Sequence, residues 1–314
     1  MKKIFINGYL GFKNFGDDIL FFRVLEILKK YLPQRYKIYY LSKTPYKINA
    51  RFFPRYKLFN LFKIIKKDDV LVNIGGIFQD RTSCLSFFYY FLINFIFIIK
   101  KGKIVSLSID IADLRYKLNL WLFRYIIRHS MLTVFRDLHS CSKFSDEKNI
   151  YYACDIGFLT KIKRCQKKKE YICIVLKPHK NAGYLIKRFN KLKDMLYIIM
   201  PEEYKKLKKY VSDNFWVYNG IPKDLIKIIQ SSKFLISMRY HPAVIALKAG
   251  IPVIMISDEN KILNFASQFG LKIFNPDSKK LIDKLKFKSY IRNKEKMRYI
   301  QEWQKIGKVL QNIL

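Results

Sequence analysis

A chain of 314 residues, half of them apolar, exceeds what one hydrophobic core organises and predicts two domains of about 150 residues each. Its 61 Lys and Arg against 24 Asp and Glu give a formal charge of +37, which attracts phosphorylated substrates or anionic lipid, although abundant Lys, Ile, Phe and Tyr together also fit a codon bias. The basic residues are spread along the chain without zinc-finger spacing, an RNP-like segment or a basic helix ahead of heptads, which argues against nucleic acid as partner; the 5 cysteines, without C-x-x-C spacing, argue against a disulfide framework or structural zinc and fit a reducing cytosol.

Met1-Lys2-Lys3 leads directly into a short apolar strand, Ile4–Ile6, too brief for the core of a signal peptide. Gly8, Gly11 and Gly16, in NGYLGFKNFGDD, turn the chain into a helix with an apolar stripe of Leu20, Val24, Ile27, Leu28 and Tyr31 and with Asp17 and Asp18 in its first turn. These glycines either let a ligand approach backbone N–H groups or only pack strand against helix. Their spacing is not G-x-G-x-x-G and no acidic ribose partner follows, so a nicotinamide cofactor is not expected.

Val70–Ile74 reads as the next buried strand, and NIGGIFQDRTS sets Gly75 and Gly76 at its carboxyl end, the edge where open α/β sheets bind ligands. Gln79 and Asp80 reach sugar hydroxyls from there, with Asn14 and Asp17 completing a candidate acceptor-binding set; the competing role is capping of the following helix by Asp80 or Ser83. That helix, Leu85 to Ile99, is almost wholly apolar between Arg81 and Lys100-Lys101. It is too short to span a bilayer, and predicts either a buried helix behind the sheet or one partly inserted into a membrane surface. Ile104–Leu107 and Leu132–Phe135 continue the sheet. FRDLHS closes the latter strand with Arg136, which either projects into the ligand cleft or sits in an internal Arg–Asp ion pair, while His139 reads as an exposed residue at a helix start.

The basic run KIKRCQKKK predicts a linker at 161–169, between an N-terminal α/β domain, 1–160, and a C-terminal α/β domain with terminal helices, 170–314. Strands at Tyr171–Leu176, Leu196–Met200, Phe234–Ser237 and Val253–Ile256, with a helix over Lys223–Gln230, repeat the alternation. The fold class expected is α/β, two doubly wound Rossmann-like domains facing a cleft. In ISMRYHPAVIALKAGIPVIMISDENK, 236–261, Arg239, Tyr240 and His241 stand where a strand turns into a helix, whose positive end favours an anion, and Lys261 follows the next strand to the same rim. Arg239 offers a planar fork for carboxylate or phosphate, and an imidazole between two fixed cations suits acid catalysis on a small anionic substrate. No cluster of metal ligands accompanies them.

Five blocks in this order resemble the polysaccharide pyruvyl transferase family over most of the chain. They are GYLGFKNFGDD, GG-x-FQD-x-TS with Phe87–Tyr90 behind it, RD-x-x-S at Arg136–Ser140, CDIGFL at Cys154–Leu159, and MR-x-H-x-x-x-x-A at Met238–Ala246. The resemblance implies a GT-B-like fold, phosphoenolpyruvate as co-substrate without a further cofactor, a sugar acceptor often carried on a lipid diphosphate, and a ketal product on a cell-surface polysaccharide. It implies donor-site positions at Arg136, Arg239 and His241, beside Tyr240, with Lys261 closing a tyrosine-aspartate-proline-lysine motif that reads Asp258-Glu259-Asn260-Lys261 here. Two further departures are Ile77 in place of a third glycine and Ser106–Asp110 in place of a Gln-Gly-Ile-Gly stretch. The readings that compete are a glycosyltransferase of the same architecture using a nucleotide sugar and a non-catalytic glycan- or lipid-binding relative. Charge and the apolar helix together predict a cytoplasmic enzyme visiting the inner face of the membrane.

Overall fold

Apolar runs that read as strands do pair as strands. The structure, a computed structural model, describes residues 2–31, 36–81, 83–111, 114–162, 171–211, 214–277 and 293–313. Among them the first sheet has seven strands: β1 (Lys3–Leu10), β2 (Lys37–Ser42), β3 (Arg51–Pro54), β4 (Val70–Ile74), β5 (Lys103–Ile109), β6 (Leu132–Phe135) and β7 (Ile150–Tyr152), in the order β3-β2-β1-β4-β5-β6-β7. The second has six: β8 (Tyr171–Val175), β9 (Met195–Ile199), β10 (Phe215–Val217), β11 (Ser232–Ser237), β12 (Val253–Ile256) and β13 (Lys272–Phe274), ordered β10-β9-β8-β11-β12-β13. Every pairing is parallel, so both sheets are doubly wound, and each reverses its strand order once, between β1 and β4 and between β8 and β11.

The helices are α1 (Phe15–Tyr31), α2 (Leu58–Ile64), α3 (Cys84–Ile99), α4 (Lys117–Arg128), α5 (Leu138–Ser142), α6 (Ala182–Phe189), α7 (Pro201–Leu207), α8 (Pro222–Gln230), α9 (Tyr240–Ala249), α10 (Asn260–Gln268) and α11 (Asn293–Ile313). Helix α1 carries Asp17 and Asp18 in its first turn, as its N-terminal sequence predicts. Helix α3 starts where the Ser83 hydroxyl accepts from Ser86 N at 3.4 Å, and buries Phe87, Tyr90, Ile93, Asn94, Ile96 and Phe97 against the sheet. Its opposite face leaves Leu85, Phe88, Leu92 and Ile99 exposed. No helix among the described residues is long and apolar enough to cross a membrane.

The two units differ from the sequence division in three places. The first gathers Met1–Phe12, Asp17–Ile156 and Arg298–Leu314, and the second Lys13–Gly16 and Gly157–Met297. The break therefore falls after Ile156, ahead of the basic run expected as linker, of which residues 163–169 lie outside the described ones. Helix α11, expected with the second domain, returns to the first because Trp303 Nε1 donates to the Cys154 carbonyl at 2.9 Å, Glu302 accepts from Cys154 N at 3.1 Å, and Trp303, Ile306 and Leu310 are buried. Gly8 lies inside β1, not in the turn after it. Gly11 makes that turn, with φ +80°, and a Cβ there would stand 2.8 Å from Lys43 N.

A polar ladder crosses the middle of the first sheet. Asn7 Nδ2 donates to Asn73 Oδ1 at 2.9 Å, Asn73 Nδ2 donates to Asn94 Oδ1 at 2.8 Å and Ser106 Oγ at 3.3 Å, and Asn94 Nδ2 donates to the Tyr90 carbonyl at 2.8 Å. All four side chains are buried, so the ladder ties β1, β4, β5 and α3 into one register.

Candidate active site

In the second sheet the strand order reverses between β8 and β11, and the residues that follow these strands stand at the carboxyl edge where ligands bind. Arg239 caps α9 in an extended conformation. Its N–H donates to Ser237 Oγ at 3.0 Å while that hydroxyl donates to the Arg239 carbonyl at 2.7 Å, a local clamp that fixes where the guanidinium leaves the backbone. Tyr240 and His241 form the first turn of α9, with their rings edge to face at 5.1 Å, and Tyr240 packs on Phe265 of α10 at 4.5 Å. Pro242–Leu247, which follow in α9, are all buried and anchor this turn in the unit.

His241 has a neighbour that the sequence separates from it by more than two hundred residues. The segment Lys13–Gly16 groups with the second unit, and a Cβ at Gly16 would fall inside the imidazole, 2.8 Å from Cε1 and 2.9 Å from Cγ. Gly16 is thus a close-approach glycine: only a residue without a side chain lets this backbone lie against the His241 ring. Asn14 Oδ1 accepts from Gly16 N at 3.2 Å and shapes the same turn, and Phe15 packs edge to face on Tyr218 at 5.7 Å.

Around Arg239 the charges alternate. Its Nη2 is paired with Glu203 of α7, and Lys177, two residues past β8, pairs with Glu259. The other Glu259 oxygen lies 3.3 Å from Lys261 Nζ. Burial pushes the Glu203 carboxyl above the usual carboxylate range, and Arg239 and Lys177 pull it back down, so Lys177 is felt by both carboxylates. Arg239, Lys177 and Lys261 are thus set against Glu203 and Glu259, and Glu202 also acts on Glu203. Lys177 and the two glutamates were not anticipated. Glu259 stands where the resemblance implies the aspartate of the tyrosine-aspartate-proline-lysine motif, and Glu203 lies in a helix with no motif of its own. Arg239 Nε is buried without a hydrogen-bond partner.

Arg136 belongs to the first unit. It is 5% exposed, with Nη1 donating to Asp155 at 3.1 Å and Nη2 paired with Asp110, so its charge is matched by two carboxylates. Of the two roles open to it in the sequence, the internal ion pair is the one the contacts show. Gly76 makes room for that pair, since a Cβ there would stand 3.1 Å from Asp110 Oδ2. In β5, Ser108 holds φ +55°, a left-handed conformation that glycine adopts without strain, and its hydroxyl accepts from Ile156 N at 3.1 Å. This strand lies in the stretch where the resemblance expects glycines.

Of the expected acceptor set, Asp80 is committed elsewhere. Its carboxylate accepts from Arg115 N at 3.0 Å, Tyr116 N at 3.0 Å and Asn119 Nδ2 at 2.9 Å, which fixes the chain entering α4, while Ser83 and not Asp80 caps α3. Gln79 is half-buried beside it. Asp17 is half-buried on α1 in the first unit, whereas Asn14 groups with the second. Asp18 accepts a 2.5 Å hydrogen bond from the Tyr46 hydroxyl.

Two all-parallel, doubly wound units with ligand-type residues at their carboxyl edges define an α/β enzyme of GT-B-like architecture. Solved structures share this fold: a Methanocaldococcus jannaschii UDP-GlcNAc 2-epimerase in complex with UDP-GlcNAc and UDP (TM-score 0.63, 14% identity, 97% of this chain and 99% of that one), a putative UDP-N-acetylglucosamine 2-epimerase from Listeria monocytogenes (0.63, 10%, 98% and 90%), and the S. aureus MnaA-UDP co-structure (0.60, 13%, 90% and 88%). At such identities they speak for the fold alone. No curated protein matches the sequence. The family model for polysaccharide pyruvyl transferase matches residues 14–260, and the chain belongs to that family of transferases. The match opens on Asn14 and closes one residue before Lys261.

Proposed function

We propose that the protein moves the pyruvyl group of phosphoenolpyruvate onto two hydroxyls of one sugar in a cell-surface polysaccharide or its lipid-linked precursor. The observation that carries this reading is the charge-alternating cluster of Arg239, Lys177 and Lys261, with His241 two residues after Arg239 in the first turn of α9, within a chain of the pyruvyl transferase family. Carboxylate and phosphate of the donor displace Glu203 and Glu259 as partners of these cations, so that the guanidinium fork and the two ammonium groups bind the anion that the second unit is built to accept. Arg136, matched by two aspartates, serves in the first unit as the brace of Asp110 and Asp155.

His241 supplies the proton. As one sugar hydroxyl oxygen bonds to C2 of phosphoenolpyruvate, the imidazole protonates the C3 methylene, which becomes the methyl group. The second hydroxyl oxygen then bonds to C2 as the C2–O bond to phosphate breaks; one hydroxyl proton restores the imidazole, the other leaves with inorganic phosphate, and the ketal closes. No metal enters this scheme. The test is to incubate purified protein with phosphoenolpyruvate and candidate lipid-linked sugars, follow phosphate release and weigh the products. His241→Ala should lose about 10²–10⁴-fold in turnover while remaining folded. Near wild-type turnover in the folded variant removes His241 from the mechanism, and protection from unfolding by a UDP-sugar but not by phosphoenolpyruvate replaces pyruvyl transfer with glycosyl transfer.

A further inference from the structure

One buried cation in the first unit has no part in this mechanism. Arg55 follows β3 at the carboxyl edge of the first sheet and is 5% exposed. Its Nη2 donates to the Tyr90 hydroxyl at 3.0 Å, while Nε and Nη1 are buried with no hydrogen-bond partner. Among the described residues no carboxylate pairs with it: burial works against its charge, and the groups that offset this are the hydroxyls of Tyr90, Tyr89 and Tyr56. Buried ions are ordinarily paired, because desolvation without a partner is costly. A guanidinium left with open N–H groups on two nitrogens is a site waiting for an oxyanion.

The surroundings narrow the class of ligand. The rings of Tyr9, Phe12, Tyr56, Tyr89 and Tyr90 lie 5.9, 5.0, 5.4, 4.8 and 5.5 Å from Arg55 Cζ. Tyr9 and Phe12 stack face to face at 4.0 Å with an interplanar angle of 4°, which leaves only the outer face of each ring for other contacts. Exposed Lys43 brings a second cation to 5.0 Å from the same Phe12 ring, and Tyr56, at 5.4 Å from the guanidinium, is itself 66% exposed. Two cations suit a phosphoryl group better than a single carboxylate, and flat aromatic faces suit the C–H face of a sugar ring.

We propose that Arg55 and Lys43, with the Tyr9, Phe12 and Tyr56 rings, bind the phosphoryl end of a sugar phosphate or sugar diphosphate. Its identification with the acceptor rests on the transfer reading above; the site itself does not. Calorimetric titration of the full-length protein with glucose 1-phosphate, inorganic pyrophosphate and glucose tests it. The two phosphates bind and free glucose binds more weakly, and Arg55→Met weakens glucose 1-phosphate by about 10- to 100-fold. Lys43→Met and Tyr56→Ala, at exposed positions that do not endanger folding, weaken it as well and decide the matter if Arg55→Met fails to fold. Tighter binding of a sugar on a short prenyl diphosphate marks the lipid-linked source, and equal binding a soluble one. Undiminished affinity in the variants, or no phosphate binding by the wild type, overturns the site. Pyruvyl transfer is read separately from phosphate release: transfer without Arg55-dependent binding sinks this site alone, and Arg55-dependent binding without transfer sinks the transfer reading alone.

Discussion

Two residues decide how the candidate site is set. Gly16 leaves no room for a methyl group beside His241, so Gly16→Ala forces the imidazole aside while α9 stays anchored by its buried residues. A shift of about 1 Å in a reacting group costs roughly 10²-fold in rate, and steady-state turnover of the folded variant should fall by that order with little change in thermal stability. Wild-type turnover in Gly16→Ala would show that His241 has slack. Glu203 acts on the other side, as the competitor of any anion for Arg239. Because burial raises its carboxyl pKa, Glu203 loses its charge earlier than an ordinary glutamate as the pH falls, and the positive charge of Arg239 is then uncompensated. Donor affinity should therefore tighten toward acid pH in the wild type. Glu203→Gln removes that titration: it should lower the KM for phosphoenolpyruvate by about 2- to 10-fold at neutral pH and flatten its pH dependence relative to the wild type, which cancels the titration of the substrate itself.

At the scale of elements, the Asn7–Asn73–Asn94–Ser106 ladder shows how polar groups can hold a parallel sheet in register. Asn73→Ala strips the Asn7 amide, the Asn94 carbonyl oxygen and the Ser106 hydroxyl of a partner at once, all of them buried. It should cost about 2–4 kcal/mol in urea unfolding, and a cost below about 1 kcal/mol would mean that the ladder relaxes around the gap. The same scale shows what the sequence discloses. Buried strands such as Val70–Ile74 and Leu132–Phe135 are legible to the residue because they are buried along their whole length, whereas β2, β3, β7, β10 and β13 escape notice, since they are short or only partly buried and their apolar residues also fit a loop or a helix end. Arg239, His241 and Lys261 are legible because a strand, a polar turn and a helix follow one another in one segment. Lys177 and Glu203 are not, and Gly16 shows only as a turn glycine without its partner, because what makes them matter is a contact across the fold with no trace in local spacing. Arg136 is ambiguous in another way: a strand-end arginine looks the same in sequence whether it faces a ligand or pairs with two aspartates.

For the whole molecule the charge of +37 and one apolar face point to the same surroundings. Helices α2, α3 and α4 lie together in the first unit, where Leu61 and Ile65 pack with Ile93 and Phe97 and where α3 touches α4. Outward they leave Phe59, Leu85, Ile99 and Trp121 at 70, 79, 53 and 63% exposure, with Lys63 over the Phe59 ring at 4.3 Å and Lys100 over the Phe62 ring at 3.9 Å. Aromatic and aliphatic side chains rimmed by lysines match the interface of an anionic bilayer, where each basic residue near the surface contributes about 1 kcal/mol at low salt and the apolar side chains add burial. We therefore expect the protein to sediment with vesicles containing phosphatidylglycerol, to remain free of purely zwitterionic vesicles, and to be released progressively as salt rises above about 0.15 M and the charges are screened. Leu85→Glu with Trp121→Ser should weaken vesicle binding without altering transfer to a soluble acceptor, since neither side chain belongs to the candidate site. A protein that stays wholly in the supernatant with anionic vesicles even at low salt would detach the charge from any role at the membrane and leave codon bias as its explanation.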